Sequence, residues 1–184
     1  AQQMTITAQS NNCFSLIRIP SINESDILKS HEIGSNGIVV PHVNNINDVD
    51  KIVKYFKYPP IGNKGYTPYT RASKYHKQNN YFNLSNNNSL LVTIIEDKEG
   101  LDNIENIVTN ENIDVIYIGT YDISASLNCD VNDDKVINEL ERCVKIAKSH
   151  NKSIGCLYHD IKELNFFKKL GINFLVYSVD SKVI

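Results

Sequence analysis

Six short apolar runs rich in β-branched residues punctuate the chain: SLIRIP (15–20), GIVVP (37–41), LLVTIIE (90–96), VIYIG (115–119), SIGCLY (153–158) and FLVYS (174–178). Each is a nearly unbroken hydrophobic block, not an alternation of apolar and polar positions. That pattern predicts strands buried on both faces, as in a parallel sheet. Between the runs the apolar spacing changes to three and four, which predicts helices. Residues 24–33 carry Ile27, Leu28 and Ile33, with Gly34 placed to end the helix. Residues 47–56 set Val49, Ile52, Val53 and Phe56 on one face. Residues 100–109, 134–149 and 161–170 repeat that stripe, the last running from Ile161 to Leu170 just ahead of Gly171.

Strand followed by helix, repeated along the chain, places the fold in the α/β class. A doubly wound open sheet and a (β/α)8 barrel both fit six strands. No GxGxxG follows any strand, which disfavours a dinucleotide-binding fold. No linker divides the sequence, so a single domain over residues 1–184 is expected. One connection departs from the rhythm. Residues 57–89 show no clear strand or long helix, and a stretch of that length predicts a functional loop, over the active-site side or at a subunit contact. It opens with YPPIGNKGYTPYTRAS, dense in turn residues, and closes on the low-complexity run NNYFNLSNNNS (79–89), read as a solvated loop.

Composition narrows the classes further. With 184 residues, 41% of them hydrophobic, the chain can bury a core, and a formal net charge of -2 gives no basic footprint for nucleic acid. No apolar run approaches the ~20 residues a membrane helix requires. The opening AQQMTITAQS does not read as a secretory signal, and the missing initiator Met leads us to expect an internal fragment or a processed product. Cys13, Cys129, Cys143 and Cys156 have no CxxC spacing and are expected as free thiols in a reducing, cytoplasmic compartment.

Binding groups in parallel α/β folds follow the carboxyl ends of strands. Glu96 ends the third run, Asp122 lies three residues beyond the fourth, and Arg18 sits inside the first. Two carboxylates on neighbouring strand ends make a minimal oxygen site for Mg²⁺ or Mn²⁺. The plainer readings stay open. Glu96 is otherwise a loop acid or a helix N-terminal charge, Asp122 a turn cap with Ser124, and Arg18 one half of a buried salt bridge, with Glu96 itself among the partners it could take. His42 and His159 also follow strand ends, as acid–base groups or as ordinary rim histidines. His31, His76 and His150 read as structural or solvated. The tyrosines around the long connection either line a cleft or pack it.

In order along the chain, IRIP, GIVVPHVNN, YPPIGNKG with a later RAS, IIEDKEGL, YIGTYDISASL and GINFLVYSVDSKVI resemble the successive motifs of the HpcH/HpaI aldolase/citrate lyase family. The resemblance covers nearly the whole chain. It implies a (β/α)8 barrel of TIM type, six of whose eight strands are visible here, and a class II, metal-dependent aldolase acting on a 2-oxo acid such as pyruvate. By motif position, Glu96 and Asp122 would hold Mg²⁺ or Mn²⁺ (or Co²⁺), Arg18 would stabilise the enolate, and the backbone around Gly119, Thr120, Tyr121 and Asp122 would bind the pyruvate carboxylate. His42 and His159 would stand in for the family's DxEH histidine, which has no counterpart here. Relatives imply a homo-oligomer, hexameric or trimeric, while the charge balance and the short apolar runs lead us to expect neither nucleic acid nor membrane as partner. The departures define the alternatives. Ile94 replaces the aldolases' usual Gln, as in the citrate lyase branch, and gives a citramalyl- or malyl-CoA-type lyase as the second reading, while YPPIGNKG and RAS favour the aldolase branch. Lys64 replaces the Arg of the RG pair, and Thr120 and Tyr121 bulk up a loop that is normally Pro-small. The six-strand count leads us to expect a fragment, one piece of a split protein, or a degenerate, non-catalytic barrel acting as a scaffold.

Overall fold

The computed structural model describes residues 1–183. Its strands are β1 (Leu16–Arg18), β2 (Gly37–Val40), β3 (Leu90–Ile95), β4 (Val115–Ile118), β5 (Ser153–Tyr158) and β6 (Phe174–Tyr177). They follow one another in the sheet in chain order, and the β1–β2, β4–β5 and β5–β6 pairs are parallel. The helices are α1 (Gln2–Ser10), α2 (Glu24–Glu32), α3 (Ile46–Phe56), α4 (Tyr81–Asn88), α5 (Lys98–Asp102), α6 (Ile104–Ile107), α7 (Thr120–Ser126), α8 (Asp134–Ser149), α9 (Ile161–Leu170) and α10 (Asp180–Val183). Among the described residues no helix is long and apolar enough to cross a membrane.

The chain forms two compact units. The first comprises residues 1–41 and 47–92, the second residues 42–46 and 93–184. In the first unit, α2 begins where the Asn23 side chain accepts the Asp26 N–H, and the chain leaves it through Gly34 at φ +91. The α3 stripe predicted from spacing is buried: Val49, Ile52, Val53 and Phe56 all leave solvent. In the second unit, Asp97, Asp133 and Asp160 cap α5, α8 and α9 through backbone N–H groups. Gly171, at φ +93, closes α9 in the left-handed conformation that glycine adopts without steric cost. Leu140, Cys143, Val144 and Ala147 form the buried face of α8.

Three expectations change. The helix expected over 100–109 is two short ones, because the Asn103 side chain donates to the Glu99 carbonyl and competes with the helical ladder. Residues 79–89, expected as a solvated loop, contain α4, whose Tyr81, Ser85 and Asn86 are buried. Asn86 explains the burial: its amide accepts from Tyr58 N and donates to Tyr58 O, doing for an irregular segment what a strand partner would do. α1 forms from the polar opening residues with Thr5 alone buried, so no stripe announces it. Burial on both faces holds for β2 through β4 but not for β1 and β6, whose residues are half-buried or exposed, since each has a strand neighbour on one side only. All four cysteines are free thiols, and burial pushes Cys143 and Cys156 up to about 12, which keeps both protonated and unreactive.

Candidate active site

The strand ends of the second unit bring together several of the residues singled out above. Glu96 follows β3 directly, with a side chain only 4% exposed. A buried carboxylate requires donors. His42 supplies two, its backbone N–H at 2.8 Å and its Nδ1 at 3.0 Å, both directed at Glu96 Oε1. One residue reaches a single oxygen twice because His42 lies at φ +53, a left-handed conformation that costs a non-glycine residue roughly 1–2 kcal/mol. A carboxylate oxygen only accepts, so Nδ1 carries the proton. The Nε2 of a side chain that is 66% exposed is then free to exchange a proton with a ligand.

Gly119 follows β4 and stands at the start of α7. Its N–H donates to the Ile95 carbonyl, which pins the turn to the end of β3. A Cβ on Gly119 would stand 2.8 Å from Glu96 Cβ and 3.6 Å from its Oε2. The missing side chain therefore leaves room beside the carboxylate. Gly119→Ala is expected to cost about 1–3 kcal/mol through overpacking and to displace Glu96. Thermal melts check this, and an unchanged midpoint would show that the turn has slack.

Asp122 lies in the first turn of α7 and is exposed. Among the described residues no hydrogen bond or ion pair engages its carboxylate. The cap with Ser124 does not form, since the Ser124 hydroxyl donates to the Tyr121 carbonyl. The Gly119 amide is already committed, so the carboxylate-binding role sketched for this turn narrows to the amides of Thr120, Tyr121 and Asp122, which precede the first helical bond of α7. His159, after β5, places Nε2 3.2 Å from the Tyr121 hydroxyl, while its backbone N–H donates to Glu163. Thr120, Tyr121, His159 and Glu163 line a cavity of about 90 Å³. Arg18 is the exposed last residue of β1, in the first unit.

The donor set fits a hard divalent cation. Mg²⁺ and Mn²⁺ take oxygen ligands and keep several waters, so two carboxylates suffice. Among the described residues no group of three or more His, Cys, Asp and Glu side chains gathers into a cage, as a closed Zn²⁺ site would require. Sequence reasoning placed Glu96 and Asp122 just past strand ends, and the structure has them directly after β3 and in the first turn of α7. That reasoning missed the pairing of His42 with Glu96 and the steric role of Gly119, for which neither periodicity nor spacing carries a signal.

The chain is similar to several known proteins. The family model for HpcH/HpaI aldolase/citrate lyase matches residues 2–184. A 5-keto-4-deoxy-D-glucarate aldolase of Enterobacter sp. (strain 638) is 27% identical over 168 residues, 90% of this chain and 65% of the relative. A 2-keto-3-deoxy-L-rhamnonate aldolase of Salmonella gallinarum (strain 287/91 / NCTC 13346) is 28% identical over 90% of this chain and 63% of its own length. The chain thus spans slightly under two thirds of these curated relatives. In fold, it is similar to the crystal structure of an HpcH/HpaI aldolase from Desulfitobacterium hafniense DCB-2, at a TM-score of 0.92 and 21% identity, covering 99% of this chain and 72% of that one.

Proposed function

Since the chain belongs to the HpcH/HpaI aldolase/citrate lyase family, we propose that it is part of a (β/α)8-barrel lyase that makes or breaks the carbon–carbon bond between a 2-oxo acid and an aldehyde. The observation that carries this reading is the buried Glu96, held twice by His42 and given space by Gly119. Glu96 and Asp122 would hold a divalent cation, Mg²⁺ or Mn²⁺. When bound, such an ion supplies Lewis-acid polarisation of the 2-oxo group.

The chain's own residues do the rest. In the cleavage direction a base takes the proton of the hydroxyl next to the scissile bond. The bond's electron pair moves onto the 2-oxo acid fragment as an enolate, and the other fragment leaves as an aldehyde. The exposed Nε2 of His42, oriented by Glu96 at its other nitrogen, is one group suited to that proton, and His159 with Tyr121 is the second. The amides of Thr120, Tyr121 and Asp122, at the positive end of α7, suit the substrate carboxylate. Arg18 is assigned the enolate's counter-charge from the IRIP motif.

Calorimetric titration of Mn²⁺ into the chain, with and without oxalate as a planar enolate mimic, tests the proposal. One equivalent bound, and tightened by oxalate, is expected. Arg18→Ala is expected to keep Mn²⁺ affinity and to lose at least about tenfold of the tightening by oxalate, since a charge-assisted contact is removed. Absence of Mn²⁺ binding by the folded chain would overturn the assignment.

A further inference from the structure

The first unit contains a second cavity that the proposed reaction does not use. About 410 Å³ in volume, it opens among α1, the end of α2, residues 71–78 and α4. Asn36 and Ser89, which line it, immediately precede β2 and β3, so it lies at the N-terminal ends of those strands. Its lining contains Arg71, Lys74 and His31 but neither Asp nor Glu.

Arg71, the arginine of the RAS segment, is the central group. Its Nη2 donates to Gln9 Oε1 at 2.7 Å, and Gln9 Nε2 in turn donates to the Gly34 carbonyl at 2.7 Å. Gly34 lets the guanidinium lie against the turn, since a Cβ there would stand 3.2 Å from Arg71 Cγ. Its Nε is sealed from solvent without a partner. Among the described residues no carboxylate pairs with this guanidinium, and Gln9 is its single hydrogen-bond acceptor. A half-buried guanidinium has five N–H groups to satisfy, and this one is fixed in place with most of them unspent.

A second donor comes from a chain of hydrogen bonds. The buried Lys64 ammonium contacts His31 Nδ1, and His31 Nε2 lies 2.9 Å from Ser89 Oγ. With the Lys64 nitrogen as donor, Nδ1 accepts and Nε2–H donates to Ser89. The Ser89 hydroxyl is then left to donate into the cavity. Lys74, Tyr75 and His76 hold consecutive left-handed conformations, at φ 53, 53 and 69, a strain spent where Lys74 and Tyr75 meet the cavity.

We propose that this cavity is a binding site for a small hydroxylated organic anion of the sugar-phosphate class, with Arg71 taking the anionic group. The volume exceeds a bare phosphate and falls in the range of metabolite pockets, ~300–1,000 Å³. Gln78 and Asn88 supply amides, and Ser35 and Ser85 hydroxyls, for a polyol.

The test is calorimetric titration of ribose 5-phosphate, ribose and inorganic phosphate into the full chain, its Arg71→Gln variant and its Ser89→Ala variant, with circular dichroism and thermal melts to verify folding. Ribose 5-phosphate is expected to bind at least about tenfold more tightly than either fragment. Arg71→Gln should lose about tenfold or more, and Ser89→Ala about threefold to tenfold, as for lost hydrogen bonds to a charged group. Glu96→Gln, in the other unit, should leave this affinity unchanged, which separates the cavity from the candidate active site. Equal affinity in wild type and folded Arg71→Gln would overturn the proposal. So would failure of ribose 5-phosphate to bind, or inorganic phosphate binding as tightly as the sugar phosphate.

Discussion

Glu96→Gln is expected to lower Mn²⁺ affinity by more than the ~10–100-fold typical of losing an outer-shell partner, because it removes a charge proposed to touch the ion. The substitution isolates that charge. Glutamine keeps the volume of glutamate, and its carbonyl oxygen still accepts from the His42 N–H that holds Glu96 Oε1 at 2.8 Å. The thermal midpoint should therefore stay near that of the wild type while binding is lost. Asp122→Asn is expected to act in the same direction with a smaller stability change, since Asp122 is exposed. The measurement is the Mn²⁺ titration in each variant, beside a melt. Wild-type affinity in Glu96→Gln would remove the residue from the site and leave its burial as a packing feature.

The second large effect concerns Lys64, buried beside His31 and over the Tyr58 ring. Burial, more than the neighbouring Lys57, lowers this ammonium from its ordinary value to about 7, against an opposing pull from Glu32. The folded state thus binds its proton less tightly than the unfolded chain. Below pH ~7 the lysine is charged in both states, and the full cost of the buried charge opposes folding. Between ~7 and ~10.5 the unfolded chain binds more protons, so this group's contribution to stability improves as pH rises. Lys64→Met removes that cost. The variant is expected to gain about 3–5 kcal/mol over wild type near pH 6, offset in part by the lost contact to His31, with the gain shrinking steadily toward pH 10. Urea unfolding of both proteins at several pH values gives the difference directly. A difference that stays constant with pH would show that Lys64 titrates as an exposed lysine does. An arginine at this position, as in the RG pair of related sequences, would have no comparable neutral form in this range.

The order of strands and helices was legible because it depends on patterns local to the chain. α8 and α9 occupy the residues that apolar spacing and flanking residues predict, 134–149 and 161–170, and the strands fall within a few residues of the six apolar runs. Where local pattern was silent, prediction failed. α4 lies in an Asn-rich run with a buried face of Tyr, Ser and Asn, which only its partners, Tyr58 above all, make worth burying. α7 is seven residues long and starts from Gly119, too short for a stripe to register.

The same division runs through the site. The sequence by itself determined which carboxylates follow strand ends, Glu96 and Asp122, because a strand's direction and end are written in its own residues. Only the tertiary structure decided that His42 grips Glu96 across 54 positions of chain, that Gly119 must lack a side chain, and that Arg71, Gln9 and Gly34 close on one another around a cavity. Those contacts join residues distant in sequence, and a left-handed histidine or an unpaired guanidinium acquires meaning only from neighbours that folding brings to it.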